Sequence, residues 1–141
     1  MISVTADSNI WVSAFNYPGK PRRLIEMADS GEIRIDISDH IIDEVLRTLR
    51  LKFEWAPEEL QEAEAQMNAI GRRIAPTQAV DIIKDDPTDN RILECAAEAK
   101  SDYVVTGDKA MLRVGNCGDI PIVSVADFLE MFSHQQKGRN R

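Results

Sequence analysis

The chain has 141 residues, of which 43% are hydrophobic and 29% charged, so it is long enough for one globular domain with a hydrophobic core. Its net charge of -7 argues against a general polyanion binder, although carboxylates gathered around metal ions would still allow nucleic acid as a ligand. No apolar run reaches membrane-spanning length and no signal-peptide pattern follows Met1, so we expect a cytoplasmic protein without membrane contact.

Strand and helix patterns alternate along the chain. In order, the predicted elements are a strand at 2–6, helices at 8–15 and 22–31, a strand at 32–38, helices at 38–53 and 57–72, a short strand near 79–83, a helix at 89–100, a strand ending on Asp108, a helix at 109–113, a strand at 120–125 and a helix at 125–132. This alternation predicts an α/β fold with a parallel sheet. We expect one domain over residues 1–132 and a polar, disordered tail over 133–141.

Four acidic residues fall where the ends of such strands would meet. Asp7 and Asp108 end predicted strands, Asp89 begins a helix that leads to a strand, and Glu44 lies one turn into the helix after the second strand. Ligands of open parallel sheets bind beyond the carboxyl ends of the strands, so these side chains could converge. Taken singly, each of the three aspartates is better explained as a residue that caps a helix or lies in its first turn, and only their convergence favours a site.

A converged set of carboxylates requires bound cations or shared protons, because like charges raise one another's pKa. Oxygen ligands without a thiolate or imidazole pattern select hard ions such as Mg²⁺ or Mn²⁺. Such a site suits phosphoryl chemistry. Asp86 is an auxiliary candidate ligand, with a solvated loop acid as an equal alternative, whereas Asp85 is expected to be solvated.

Four segments, taken together and in order, resemble the PIN domain family and its VapC-type toxin ribonucleases. They are ADSNIWVSA around Asp7, SDHIIDEVLRTL around Glu44, DDPTDNRILECA around Asp89 and DYVVTGDKAML around Asp108. The resemblance extends from Ile2 to about Phe132. Ser8 stands where the family usually has threonine, and the hydroxyl is retained.

The resemblance implies a three-layer α/β/α sandwich with a central, mostly parallel sheet. It implies that the four acids bind one or two Mg²⁺ or Mn²⁺ ions and hydrolyse RNA phosphodiester bonds, and that Asn9, Thr106 and Ser38 orient ligands or substrate. The implied physiological role is the toxin of a type II toxin–antitoxin pair, with a cognate antitoxin as partner.

Other interpretations remain open at this point. The chain could be a non-catalytic RNA- or protein-binding module of the same fold, or an RNA-processing nuclease outside a toxin–antitoxin pair. A homodimer is also open, since Trp11 or Trp55 could face a partner. Most basic residues are expected on solvated surfaces, and only Arg22 and Arg47 are predicted to lie near an RNA path.

Overall fold

The predicted α/β architecture is present in the computed structural model, which describes residues 1–84 and 86–139. The strands are β1 (Ser3–Ala6), β2 (Arg34–Ser38), β3 (Gly71–Ile74), β4 (Tyr103–Val105), β5 (Asn116–Cys117) and β6 (Ile120–Val123). The helices are α1 (Ser8–Asn16), α2 (Lys20–Asp29), α3 (Asp39–Phe53), α4 (Pro57–Ile70), α5 (Asp89–Ala99), α6 (Lys109–Val114) and α7 (Val125–Arg139).

The six strands form one sheet in the order β3-β2-β1-β4-β6-β5, and all neighbours are parallel except the antiparallel pair β5–β6. Helix α5 packs on β1, β2, β3 and β4, whereas α1, α2, α3 and α4 contact one another and α2 contacts α7. The fold is therefore the three-layer sandwich with a mostly parallel sheet that the resemblance implied.

Strand β1 lies at the centre of the sheet, between β2 and β4. Its side chains are buried on both faces, as is usual for a parallel strand covered by helices. Thr5 pairs with Asp36 of β2 and Ala6 pairs with Val105 of β4. The strand thus carries the next residue, Asp7, to the middle of the carboxyl edge.

The region between α4 and α5 differs from its prediction. Helix α4 ends at Ile70, and residues 71–74, which were predicted as helix and loop, form edge strand β3 beside β2. The strand predicted near 79–83 is wrong. The backbone N–H groups of Ile82 and Ile83 donate to the side chain of Asn90 (2.9 and 2.8 Å), so side chains of α5 satisfy this segment in place of a neighbouring strand.

The last helix is longer than its pattern indicated, because α7 continues through Arg139. Most of the segment predicted as a disordered tail is therefore helical in the structure, and residues 140–141 lie outside the described part. Strand β4 ends at Val105, three residues before Asp108. Across the described residues, no helix combines the length and hydrophobicity needed to cross a membrane.

Candidate active site

Asp7 leaves β1 at the centre of the carboxyl edge and is almost completely buried. Its backbone N–H donates to the carbonyl of Val105 (3.1 Å), which ties it to β4. One carboxylate oxygen accepts the N–H of Ile10 (2.9 Å) and so caps α1, while the other accepts the hydroxyl of Thr106. The side chain of Asp7 therefore both caps α1 and belongs to the acidic group.

Thr106 connects Asp7 with Asp108. Its hydroxyl is fully buried, donates to Asp7 and accepts the backbone N–H of Asp108 (3.0 Å). Asp108 in turn caps α6 by accepting the N–H of Met111 (2.9 Å). The hydroxyl of Thr106 thus fixes one carboxylate and the backbone that carries a second.

Glu44 projects from the second turn of α3, with about a third of its side chain exposed. One carboxylate oxygen accepts the hydroxyl of Ser8 (2.6 Å), and the other lies 3.0 Å from Nε2 of His40. Neither contact was predicted from the sequence. The spacing of His40 and Glu44, four residues apart on one helix, is a signal that could have indicated the second contact.

Asp89 is the first residue of α5, the helix that packs on β1, β2, β3 and β4. Its Oδ2 atom is buried and has no hydrogen-bond partner among the described residues. Such an atom is costly unless a ligand, ion or proton satisfies it. Asp86, just upstream, is exposed and accepts the N–H and hydroxyl of Thr88 in a turn (3.1 and 2.6 Å).

The four acids interact electrostatically. Burial raises the pKa of Asp7 to about 6, in spite of the hydrogen bonds from Thr106 and Ile10, and the charges of Asp108 and Glu44 add to the rise. Burial, followed by the charges of Asp108, Asp86, Asp7 and Glu44, raises the pKa of Asp89 to about 7. Carboxyl groups from four separate segments are therefore close enough to oppose one another's ionisation.

This donor set fits a hard divalent cation. All of its members offer carboxylate oxygens, and the unpartnered Oδ2 of Asp89 leaves an acceptor free for an ion. Among the described residues, however, no three His, Cys, Asp or Glu side chains form a ready-made group of metal ligands. The acids share one electrostatic neighbourhood, and their coordination geometry is not preformed.

The remaining predicted residues are placed differently. Ser38 is buried and caps α3 by accepting the N–H of Ile41 (3.3 Å), and Asn9 is exposed on α1. Arg22 donates to the carbonyl of Ala14 (2.9 Å) and so joins α2 to the end of α1. Asp85 lies outside the described residues.

Arg47, by contrast, lies beside the acids. It lines an open cavity of about 540 Å³ that also includes Glu44 and Thr88, the residue before Asp89. Of the two arginines predicted near an RNA path, Arg47 shares a cavity with Glu44, whereas Arg22 lines another cavity beside Trp11 and Phe15.

Comparison with models of protein families gives a match over most of the chain. The family model described as PIN domain matches residues 3–110, which is more than half of the chain and includes all four acids. No curated protein matches the sequence.

Proposed function

Because this chain belongs to the PIN domain family, whose members are generally nucleases, we propose that it is a Mg²⁺- or Mn²⁺-dependent endoribonuclease. The observation that carries the proposal is the meeting of Asp7, Glu44, Asp89 and Asp108 at one edge of the sheet, where their charges interact. A buried, unpartnered carboxylate oxygen in that group supports cation binding.

The four acids would hold one or two ions, and the surrounding residues would hold the acids. A bound Mg²⁺ or Mn²⁺ lowers the pKa of a water molecule and stabilises charge on the departing oxygen. Thr106 and the Ile10 N–H fix both oxygens of Asp7, and Ser8 and His40 contact both oxygens of Glu44. These hydrogen bonds orient the carboxylates before substrate arrives.

Cleavage of single-stranded RNA by the wild type and by Asp7→Asn tests the proposal. We expect cleavage by the wild type that requires Mg²⁺ or Mn²⁺ and stops on chelation, and a loss of at least about 100-fold in Asp7→Asn, as for removal of a metal ligand. Asp119→Asn, a change of an exposed acid in the β5–β6 turn, is the matched control and should retain activity. Equal cleavage by wild type and Asp7→Asn, or none by either, would contradict the proposal and favour a non-catalytic RNA- or protein-binding module.

We further propose that the enzyme acts in the cytoplasm as the toxin of a type II toxin–antitoxin pair. Its support is the resemblance of the segments around the four acids to VapC-type toxins. Induced expression of the wild type should arrest growth, and Asp7→Asn should not. Co-expression of a short neighbouring gene that encodes a DNA-binding antitoxin should restore growth. Active enzyme without growth arrest would indicate an RNA-processing nuclease instead.

A further inference from the structure

One face of α3 forms a wall of the cavity beside Glu44. The lining residues of this helix recur at spacings of three and four, so they lie on a single helical stripe. From the amino end they are His40, Asp43, Glu44, Arg47, Thr48, Leu51 and Lys52. The two acids of the stripe precede its two cations along the helix. Glu44 and Lys52 are about 12 Å apart along the helix axis, at about 1.5 Å per residue.

Arg47 has no partner among the residues that the structure describes. Within residues 1–84 and 86–139 its guanidinium makes no hydrogen bond or ion pair, and the residue is exposed. Lys52 has no carboxylate partner in the same ranges, and its ammonium lies 5.8 Å from the centre of the Phe53 ring. Several other cations of the protein are paired; Arg34 and Arg72 contact Asp36, and Arg91 contacts Glu94. Toward the carboxyl end of α3 the cavity thus presents two cations, Arg47 and Lys52, that no carboxylate of the described residues contacts.

The cavity is continuous with the acidic site. Glu44 belongs to both, and its carboxylate is held by Ser8, the residue after Asp7. Thr88 also lines the cavity and directly precedes Asp89. A chain molecule that leaves the acids through this cavity would therefore run along α3 toward Arg47 and Lys52.

We propose that this cavity binds the single-stranded RNA segment next to the cleaved phosphate. Arg47 and Lys52 contact successive phosphates, and the exposed side chain of Leu51 offers an apolar surface to a base. The inference rests on the proposed nuclease function and adds to it the path of the RNA strand and two substrate-binding residues. Asp43 opposes phosphate at the near end, so the favourable contacts begin at Arg47, one helical turn from Glu44.

A cation near the carboxyl end of a helix also stabilises the helix dipole, and this explanation requires no ligand. It applies to Arg50 and Lys52, which lie in the last turn of α3, and less to Arg47, which lies a turn earlier. Arg50 carries the same charge on the same helix but does not line the cavity. Arg50→Gln is therefore the matched control, because it removes one positive charge from the same helix without removing a residue that lines the cavity.

Binding separates these explanations without cleavage. Fluorescence anisotropy with a 5′-labelled single-stranded RNA of about 12 nucleotides and Mn²⁺ would be measured in an Asp7→Asn background. Arg47→Gln should raise Kd by about three- to tenfold, as for one partly exposed phosphate contact. Arg47→Gln with Lys52→Gln should also lower the slope of log Kd against log salt by about 1.4, since each phosphate contact of a single strand contributes about 0.7. Arg50→Gln should remain within about twofold, a smaller loss because its charge acts only at a distance.

Cleavage assays then test the RNA path and the nuclease function separately. With Asp7 restored, Arg47→Gln should raise KM with little change in kcat, because its contact is equal in substrate and transition state. Active wild type with equal Kd and KM for Arg47→Gln and Arg50→Gln would overturn the RNA path and leave the nuclease function intact. Inactive wild type would overturn the nuclease function and, with it, this use of the cavity.

Discussion

Asp7 stabilises the protein as a helix cap and destabilises it as a buried charge. Its pKa is raised from about 3.8 to about 6, so the folded state binds the proton more tightly than the unfolded state does. Between these two values, stability without metal falls as pH rises, and the full cost is present above pH 6. Asparagine cannot ionise, and it caps a helix about as well as aspartate does.

Asp7→Asn should therefore be more stable than the wild type in chelated buffer at pH 7.5. Two pKa units correspond to about 2.7 kcal/mol, and the weaker hydrogen bonds of an amide reduce the gain to about 1–2 kcal/mol. The gain should shrink toward zero near pH 4. Urea denaturation at both pH values measures it. Asp7→Ala, which loses the cap, should be less stable than Asp7→Asn. Destabilisation by Asp7→Asn at pH 7.5 would show that the hydrogen bonds to the carboxylate outweigh the cost of burying its charge.

Thr106 supports two acids with one hydroxyl, so Thr106→Val and Thr106→Ser should behave differently. Valine keeps the shape but leaves the Asp108 N–H without its acceptor, which should cost about 1–3 kcal/mol of stability. It also removes the hydrogen bond that lowers the pKa of Asp7, and Mn²⁺ affinity should fall by about 10- to 100-fold. Thr106→Ser retains the hydroxyl and should keep most of the affinity. Titration calorimetry measures the Mn²⁺ affinity of the wild type and both variants. Equal affinities would show that the Thr106 side chain contributes to packing alone.

At this scale the sequence indicated which acids lie near one another at the edge of the sheet but not how they are held. Asp7, Asp89 and Asp108 could be located because each adjoins a strand or helix whose pattern is strong. The contacts of Ser8 and His40 with Glu44 depend on how α1 and α3 pack, because Ser8 and Glu44 are 36 positions apart. The unpartnered oxygen of Asp89 likewise depends on long-range burial, and no local pattern encodes it.

The elements of the sheet show the same division between local and long-range information. The period-two pattern of β2 predicts its strand but not the surroundings of Asp36. In the structure Asp36 is fully buried, paired with Arg34 and Arg72 and bonded to the hydroxyl of Ser101 (2.7 Å). Arg72 belongs to β3. This strand was not predicted from the sequence, because its four residues directly follow a long helical pattern and are too few to show a period-two pattern of their own.

Strand β3 depends on Gly71, where the chain leaves α4 and joins β2. A Cβ atom at this position would lie 2.6 Å from Cγ2 of Ile37 and 3.0 Å from the carbonyl of Met67. Gly71→Ala should therefore push β3 away from β2 and destabilise the fold by about 1–3 kcal/mol. Gly107→Ala is the control, because a Cβ atom there would have no neighbour within 4 Å among the described residues, and it should be neutral or slightly stabilising. Similar denaturation midpoints for the two variants would mean that the edge strand adjusts freely.

The whole molecule carries a net charge of -7, and part of this charge is concentrated at one edge of its sheet. A cation bound there would neutralise repulsion that the folded state otherwise bears, and it would bind the folded state in preference to the unfolded chain. Global stability should therefore depend jointly on metal and on pH. The direction of the pH dependence follows from the raised pKa values of Asp7 and Asp89, because protons compete with the cation for the same carboxylate oxygens.

Mn²⁺ should raise Tm strongly at pH 8 and only slightly at pH 5. At pH 8, Asp89 and Asp7, with pKa values of about 7 and about 6, are ionised and available as ligands; at pH 5 both are mostly protonated. At 100 times Kd, linkage gives about 2.7 kcal/mol, or a rise of about 5–10 °C for a chain of this size. Calorimetry with and without Mn²⁺ at each pH isolates this difference from the intrinsic effect of pH on the metal-free protein. Asp119→Asn should keep the rise and Asp89→Asn should lose most of it, whereas equal rises at both pH values would place the ion away from these carboxylates.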